Sequence, residues 1–148
     1  MSSGHPIAAA YDFSEACLIC DVGGGDGTAL RHILGRFAKP RGLVFDLDDV
    51  VKAIPAGAQM NGRITVRGGS FFDGVPAGAD IYLVIRVIHN WSDDDARKIL
   101  QACRSAMSRN SRLLLGEEIL QSGSAEGHVA GYLIDTQMMV MFGARART

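Results

Sequence analysis

A histidine and a pair of glutamates stand where two apolar runs of this sequence end. His89 follows the apolar stretch 81–88, and Glu117 and Glu118 follow Leu113-Leu114-Leu115. A carboxylate beside a histidine fixes the tautomer of the ring, and the second ring nitrogen can then take a proton from a substrate. If both runs are parallel strands, their carboxyl ends lie side by side and bring these side chains together. The residues therefore indicate a general base, although a histidine that is merely hydrogen-bonded at a strand end fits the same pattern.

A glycine-rich turn, Asp21-Val22-Gly23-Gly24-Gly25-Asp26-Gly27, lies between an apolar run and a helical pattern that begins near Thr28. Strand, glycine turn and helix make the layout of a Rossmann-type nucleotide site. Thr28 occupies the place of the third glycine in a dinucleotide fingerprint, and Asp21 suits an ammonium group better than a phosphate. The spacing therefore favours S-adenosylmethionine (SAM), which has an amino group and no phosphate. A purely structural loop is the alternative.

An acidic residue ends the next apolar run. Asp46 follows Leu43-Val44-Phe45, at the distance from the glycine turn where a ribose-binding carboxylate is expected. An ionised carboxylate can accept hydrogen bonds from both ribose hydroxyls at once. Asp46 and Asp48 could instead belong to a solvated connection, but the two features together favour a nucleoside site.

The elements that must position these residues alternate between strand and helix patterns. Helices are predicted for residues 28–37, 50–54 and 92–110, and a last one for 129–142; strands are predicted for 17–22, 43–47, 63–67, 81–88 and 113–115. Alternation of this kind predicts an α/β fold with a Rossmann-like, doubly wound and mostly parallel sheet of about five strands. We expect one domain over residues 1–148, with ligands at the carboxyl ends of its strands.

Composition narrows the classes of partner. The 148 residues are 47% hydrophobic and carry a formal charge of −1, which gives no reason to expect nucleic acid or an anionic membrane. No apolar run approaches the ~20 residues of a membrane span, and no export signal is visible, so a cytoplasmic location is expected. Cys17 and Cys20 should point to opposite faces of one strand, and no second pair completes a zinc site; no metal is predicted.

Five motifs occur in an order that points to one family. They are Asp21-Val22-Gly23-Gly24-Gly25-Asp26-Gly27, Phe45-Asp46-Leu47, Gly68-Gly69-Ser70-Phe71-Phe72, Val87-Ile88-His89-Asn90-Trp91 and Leu115-Gly116-Glu117-Glu118-Ile119-Leu120. Together they resemble the catalytic domain of the SAM-dependent small-molecule O-methyltransferases, which include plant caffeate-type and bacterial carotenoid and polyketide enzymes. The resemblance covers nearly the whole chain.

The resemblance implies a cofactor site for SAM. Asp21, Gly23 and Gly25 would hold the methionine end, Asp46 the ribose hydroxyls, and Phe71 would pack on the adenine. Two further cofactor positions differ from the family.

Ser70 stands where the family usually has an acid that contacts adenine. Ile85 stands where it usually has a lysine, with Arg86 one place along. Ser70 and Arg86 are therefore counted with the expected cofactor residues.

The resemblance also implies the reaction. His89 matches the base that deprotonates an acceptor hydroxyl, and Glu117 matches an acid that flanks this histidine. Asp135 and Met138 match a helix that lines the acceptor pocket, although Met138 could equally be core packing. Ala146 stands where the family has a second acid beside the histidine.

Two other functions remain open at this point. The chain could be a truncated or degenerate relative that binds SAM without turnover. It could also be a nicotinamide-dependent oxidoreductase, although Thr28 argues against this.

Family members carry an N-terminal dimerisation domain and two further C-terminal strands that we do not find in these residues. We therefore expect the fifth strand to be an uncovered edge that could pair with another chain. The acceptor is a small molecule with a hydroxyl group, of unspecified identity.

Overall fold

A six-stranded sheet forms the centre of the molecule. The computed structural model describes residues 5–118 and 136–142. The strands are β1 (Leu18–Val22), β2 (Arg41–Asp46), β3 (Ile64–Gly68), β4 (Ile81–Ile85), β5 (Arg112–Glu118) and β6 (Thr136–Phe142). Their order across the sheet is β3-β2-β1-β4-β5-β6. The first five run parallel, and β6 pairs antiparallel with β5. The predicted Rossmann-like, mostly parallel α/β class is confirmed.

Four α-helices, with two short 3-10 segments at Ala56–Gln59 and Ile88–Asn90, complete the described part of the chain. They are α1 (Pro6–Ala10), α2 (Thr28–Arg36), α3 (Asp48–Lys52) and α4 (Asp93–Ala106). The helices predicted over 28–37 and from Ser92 onward are confirmed. The Ser92 hydroxyl accepts a hydrogen bond from the backbone N–H of Asp95 and so caps α4, as the sequence pattern predicts.

The alternation of side chains along β1 divides the core between the two faces of the sheet. Ile19 belongs to the cluster that packs against α2, and Cys20 and Val22 belong to the cluster that packs against α4. Asp21 therefore points to the α2 face, where Val44 and Leu83 are its neighbours in the register of β2 and β4. This placement puts a carboxyl group at the end of an otherwise apolar layer.

Arg63 fixes the carboxyl end of α2. Its guanidinium group donates hydrogen bonds to the carbonyl oxygens of Leu34, Phe37, Ala38 and Pro40, at distances of 2.8 to 3.1 Å. Carbonyl groups at a helix end have no partner within the helix, and one planar side chain here supplies donors for several of them. The connection between α2 and β2 is thereby held against the start of β3.

The region after β5 corrects the sequence prediction. The predicted final helix covered residues 129–142; residues 129–135 lie outside the described part, and Thr136–Phe142 form β6 rather than a helix. A short apolar run gives no decisive period. The backbone of β5 offers hydrogen-bonding groups along its whole length, and β6 pairs with it from Arg112 to Glu118. The prediction that the fifth strand is an uncovered edge is therefore wrong, whereas self-association itself stays a prediction.

The fourth strand is shorter than predicted. β4 ends at Ile85, and His89 lies in a 3-10 turn, Ile88–Asn90, that follows a bend. Arg86 forms this bend with a φ of 55°, a conformation that non-glycine residues rarely adopt. No helix of the described residues is long and apolar enough to cross a membrane.

Candidate active site

The sequence-predicted residues meet at the edge of the sheet where β1, β2, β4 and β5 end. The glycine turn follows β1, Asp46 is the last residue of β2, and Glu117 lies near the end of β5. Because these strands are parallel, all their carboxyl ends lie on one side. The parallel pairing thus assembles a site from residues nearly a hundred positions apart.

The glycine turn needs residues without a side chain at several of its positions, among them Gly23 and Gly25. Gly23 has a φ of 72°, and a Cβ atom there would stand 2.8 Å from Cγ2 of Val87. Gly25 has a φ of 59°, and a Cβ atom there would meet nothing within 4 Å. A backbone of this shape lets a ligand approach the main chain closely. Gly23 thus lets the turn pack against Val87, in the connection after β4, and Gly25 leaves open space beside the turn.

Asp46 joins the end of β2 to this turn. Its Oδ2 accepts a hydrogen bond from the backbone N–H of Gly25 at 2.9 Å, and its Oδ1 accepts one from Leu47 at 2.7 Å. A carboxylate oxygen has two lone pairs, so each oxygen retains acceptor capacity for a ligand hydroxyl. The side chain is half-buried, which leaves it within reach of a ligand above the turn.

Asp21 is buried at the base of the same turn. The residue is 2% exposed, and a Cβ atom at Gly24 would stand 2.8 Å from its Cγ. Burial, followed by the neighbouring charges of Asp46 and Asp26, raises the pKa of Asp21 to about 7. No hydrogen bond or cationic group within the described residues compensates this carboxyl group. A cationic ligand group above the turn would supply the missing partner.

Three aromatic rings stand beside the turn. Phe71 lies 3.9 Å from the position of a Gly23 Cβ, and its ring meets those of Phe72 and Trp91 in edge-to-face contacts with centroid distances of 5.0 and 5.7 Å. Phe72 and Trp91 also contact one another at 5.0 Å. Ser70 precedes this cluster, and its hydroxyl accepts the backbone N–H of Phe72 at 3.2 Å. The cluster gives the site an apolar wall.

Sequence reasoning missed Leu47, Phe72 and Trp91 as candidate site residues. They are the exposed large hydrophobic residues of the described chain, at 57%, 42% and 41% exposure, and all three lie just beyond strands that end at this edge. Apolar side chains left exposed around a polar site indicate a binding surface. The available signal was the position of each residue next to a predicted strand end. Phe72 and Trp91 also border an open groove of about 800 Å³ between residues 72–77 and α4.

His89 and Glu117 form the acid–base pair that the sequence predicted. Glu117 Oε2 lies 2.7 Å from Nδ1 of His89, and Glu117 Oε1 accepts the backbone N–H of Ile88 at 2.9 Å. The carboxylate is therefore held at two points, and its accepting oxygen favours the tautomer with a proton on Nδ1. The His89 side chain is 50% exposed and that of Glu117 is 21% exposed. The Nε2 atom of His89 is thus the ring nitrogen available to a substrate.

Arg86 lies on the acid–base side of the site. Its backbone N–H donates to the carbonyl of Gly116 at 2.7 Å, and the Asn90 side chain donates to the Arg86 carbonyl at 3.3 Å. Arg86 also lines a cavity of about 20 Å³ together with His5 and Glu117. The structure therefore groups Arg86 with Glu117, whereas Phe71 is grouped with Gly23.

The predicted acceptor residues are described only in part. Asp135 and Ala146 lie outside the described residues. The backbone of Met138 lies in β6, opposite Gly116 in β5. It is a strand position and not the helix position that the resemblance implied. Among the described residues, no three His, Cys, Asp or Glu side chains are grouped as metal ligands would be.

Comparison with known proteins gives consistent matches. The sequence model of the O-methyltransferase domain matches residues 3–148. The chain is 37% identical to 3-amino-4-hydroxybenzoate 4-O-methyltransferase from Streptomyces cremeus, over 99% of this chain and 42% of that protein. It is also 37% identical to a phenazine O-methyltransferase from Lysobacter antibioticus, over 97% of this chain and 42% of that protein. The chain thus spans about two fifths of the length of these relatives.

Solved structures show the same similarity. One is an O-methyltransferase of neocarzinostatin biosynthesis, in complex with SAM and 2-hydroxy-5-methyl naphthoic acid. It has a TM-score of 0.72 and 36% identity, over 79% of this chain and 37% of that one.

Proposed function

The chain belongs to the O-methyltransferase domain family, and from this premise we propose that it transfers a methyl group from SAM to a hydroxyl group of a small aromatic or polyketide-like acceptor. The reaction requires a place for the cofactor and a group that takes the hydroxyl proton. The carboxyl edge of the sheet offers residues suited to each of these two requirements.

The residues around the glycine turn fit SAM. Asp21 offers a buried negative charge to the ammonium group, and Asp46 retains lone pairs for the ribose hydroxyls. Gly25 leaves the backbone open, and the cluster of Phe71, Phe72 and Trp91 offers aromatic surface for an adenine ring. When bound, SAM supplies a methyl group activated by the positively charged sulfur.

His89 and Glu117 supply the acid–base chemistry. Nε2 of His89 takes the proton of the acceptor hydroxyl, and the oxygen becomes a better nucleophile as it loses this proton. The imidazolium that forms is stabilised by Glu117, whose Oε2 lies 2.7 Å from Nδ1. The second hydrogen bond of Glu117, from the Ile88 backbone, keeps the carboxylate in place during the transfer.

The acceptor class rests on the relatives. The named substrate of one is an aminohydroxybenzoate, and the naphthoic acid bound to another also carries a hydroxyl on an aromatic ring. Apolar and aromatic side chains border the site in this chain, which suits a flat and largely apolar molecule.

The observation that carries the proposal is the His89–Glu117 pair on the same sheet edge as the glycine turn and Asp46. The direct test is transfer of a labelled methyl group from SAM to a panel of phenolic and hydroxynaphthoic acceptors. We expect labelled product with at least one acceptor and none without protein. Binding of the reaction product S-adenosylhomocysteine, measured by calorimetry, reports the cofactor site independently of turnover.

A second candidate is a domain that binds SAM without turning it over. It is favoured by Ser70, which occupies the position of an expected acidic residue and whose hydroxyl is bonded to its own loop. Micromolar binding of S-adenosylhomocysteine, with no methyl transfer to any acceptor of the panel, would support this candidate. Binding of NADH in place of S-adenosylhomocysteine would contradict both.

A further inference from the structure

Asp21 is a buried carboxyl group to which the described residues offer no counter-charge. It lies on the α2 face of the sheet, and its neighbours in register are Val44 from β2 and Leu83 from β4, both with no exposed surface. An ionised carboxylate in such a layer is costly unless a cation or several hydrogen-bond donors face it. A Cβ atom at Gly24 would stand 2.8 Å from its Cγ, so the backbone of this glycine lies against the carboxyl group.

The charged groups that face Asp21 are themselves acidic. Asp46, at the end of β2, accepts a hydrogen bond from the N–H of Gly25. The preceding residue, Gly24, is the glycine at which a Cβ atom would stand 2.8 Å from Cγ of Asp21. Asp26 follows in the same turn, and its side chain bonds to Thr28. The guanidinium of Arg31, on α2, donates to the Asp26 carbonyl and the Thr28 hydroxyl.

The carboxylates of Asp21 and Asp46, near the ends of the neighbouring strands β1 and β2, repel each other when both are ionised. Asp46 is partly exposed and has two backbone N–H groups that donate to it. Asp21 has neither, and this environment raises its pKa to about 7. The protein without ligand therefore holds a proton at Asp21 over much of the acidic to neutral range.

We propose that binding of the amino-acid end of the cofactor is coupled to release of a proton from Asp21. The ligand ammonium group replaces the proton as the counter-charge, and the proton passes from the Asp21 carboxyl group to the solvent buffer. No covalent bond of the ligand changes. This inference rests on the proposed cofactor site and adds to it a dependence of cofactor affinity on pH.

The coupling has a defined direction. Below about pH 7 the ligand must displace a proton, so affinity falls by up to about tenfold for each pH unit. Above that pH Asp21 is already ionised, and affinity becomes constant. A ligand without the amino-acid end displaces no proton and has a constant affinity over the same range.

The test is calorimetry of the 148-residue chain with S-adenosylhomocysteine, compared with 5′-methylthioadenosine, which shares the adenine and ribose but has no ammonium group. Near pH 6, S-adenosylhomocysteine should release close to one proton, measured as a difference in heat between buffers of different ionisation enthalpy. Methylthioadenosine should release none. Near pH 8 neither ligand should release a proton.

Variants of three residues test whether the released proton comes from the Asp21 carboxyl group. Asp21→Asn should bind S-adenosylhomocysteine more weakly near pH 8 and should lose the proton release near pH 6. In Asp46→Asn the proton release should disappear at a lower pH than in the unchanged protein, because one charge that repels the Asp21 carboxylate is gone. Histidines exchange protons in the same range, so His89→Gln is the control, and it should keep the release.

The outcomes separate the two claims. If S-adenosylhomocysteine binds with equal heat in both buffers and without pH dependence, the coupling is wrong and the cofactor site stands. If it binds at no pH, the proposed cofactor site and the coupling both fail. Proton release that persists in Asp21→Asn overturns the assignment to Asp21.

Discussion

The two halves of the active-site edge are built by different means. On the β1–β2 side, the shape of the site is set by backbone, with Gly23 and Gly25 at positive φ and Asp46 bonded to the turn itself. On the β4–β5 side, the arrangement consists of two side chains: His89, on a 3-10 turn that follows the bend at Arg86, and Glu117, near the end of β5.

Under the proposed function, this difference gives each half of the site its own task. A site formed by main chain and a buried carboxyl group keeps one shape and suits a single, constant ligand. The half-exposed His89 can meet acceptors of different outline without a change in the sheet. We therefore expect substitutions on the β1–β2 side to affect cofactor binding, and those on the β4–β5 side to affect turnover.

The largest effect is expected from His89→Ala. Removal of the base should lower the rate of methyl transfer by about 10²–10⁴-fold, because general-base catalysis contributes about that much. Binding of S-adenosylhomocysteine should stay the same. Single-turnover transfer from labelled SAM and calorimetry on the same sample measure the two quantities. If His89→Ala lowered the transfer rate and the affinity for S-adenosylhomocysteine by the same factor, the two halves of the site would not have separate tasks.

Glu117→Gln is the companion variant. The amide can still accept from the Ile88 backbone but carries no charge to stabilise the imidazolium, so the rate should fall less than in His89→Ala. A rate loss in Glu117→Gln that exceeds the loss in His89→Ala would contradict the role of Glu117 as the partner of this histidine.

Stability should depend on pH through Asp21. The pKa of Asp21 is about 7 in the folded protein, whereas in the unfolded chain it is 3.8, the value of a solvated aspartate. Folding therefore takes up a proton between these values, and the free energy of unfolding falls as pH rises through this window, by up to about 4 kcal/mol.

Asp21→Asn removes this titration, so urea unfolding of the variant and the natural chain near pH 5 and pH 7.5 measures the contribution. The asparagine variant should lose less stability over that interval. Parallel pH profiles of the two proteins would refute a buried, protonated Asp21.

Asp46→Asn tests the β1–β2 side by itself. The amide keeps the size of the side chain but loses charge-assisted hydrogen bonds, which contribute about 1.5–3 kcal/mol each. Affinity for S-adenosylhomocysteine near pH 8 should fall by about 10- to 100-fold. Transfer at saturating SAM should change much less, and a reversed order of these two effects would argue against the assignment of Asp46 to the cofactor.

The smallest expected effect concerns the bend before His89. Arg86→Val and Arg86→Gly lose the same side chain, but only valine is strained at a φ of 55°. Arg86→Val should be less stable than Arg86→Gly by about 1–3 kcal/mol in urea unfolding. Equal stabilities would show that the backbone at this position relaxes.

The sequence predicted those parts of the site that depend on strand order. Asp46, His89 and Glu117 each follow a β-rich run, and parallel strands necessarily bring such ends together. Glycine spacing likewise predicted the turn, because few other residues adopt its backbone angles.

Features that depend on tertiary packing could not be predicted from the sequence. Nothing in the local sequence marks Arg86 for a positive φ, since the bend is stabilised by Gly116 from another strand. The contact between Phe71 and Trp91 joins residues twenty positions apart across two connections. The run 136–142 has no period that separates helix from strand, and pairing with β5 decides it.

Arg63 has a consequence for the evolution of the fold. Its side chain donates to four carbonyl oxygens, one in the last turn of the helix that begins at the glycine turn and three in the residues that follow this helix. Lysine cannot replace it, because an ammonium group lacks the planar arrangement of N–H donors of a guanidinium group. We therefore expect replacement of Arg63 to be poorly tolerated, although this residue takes no part in the proposed chemistry.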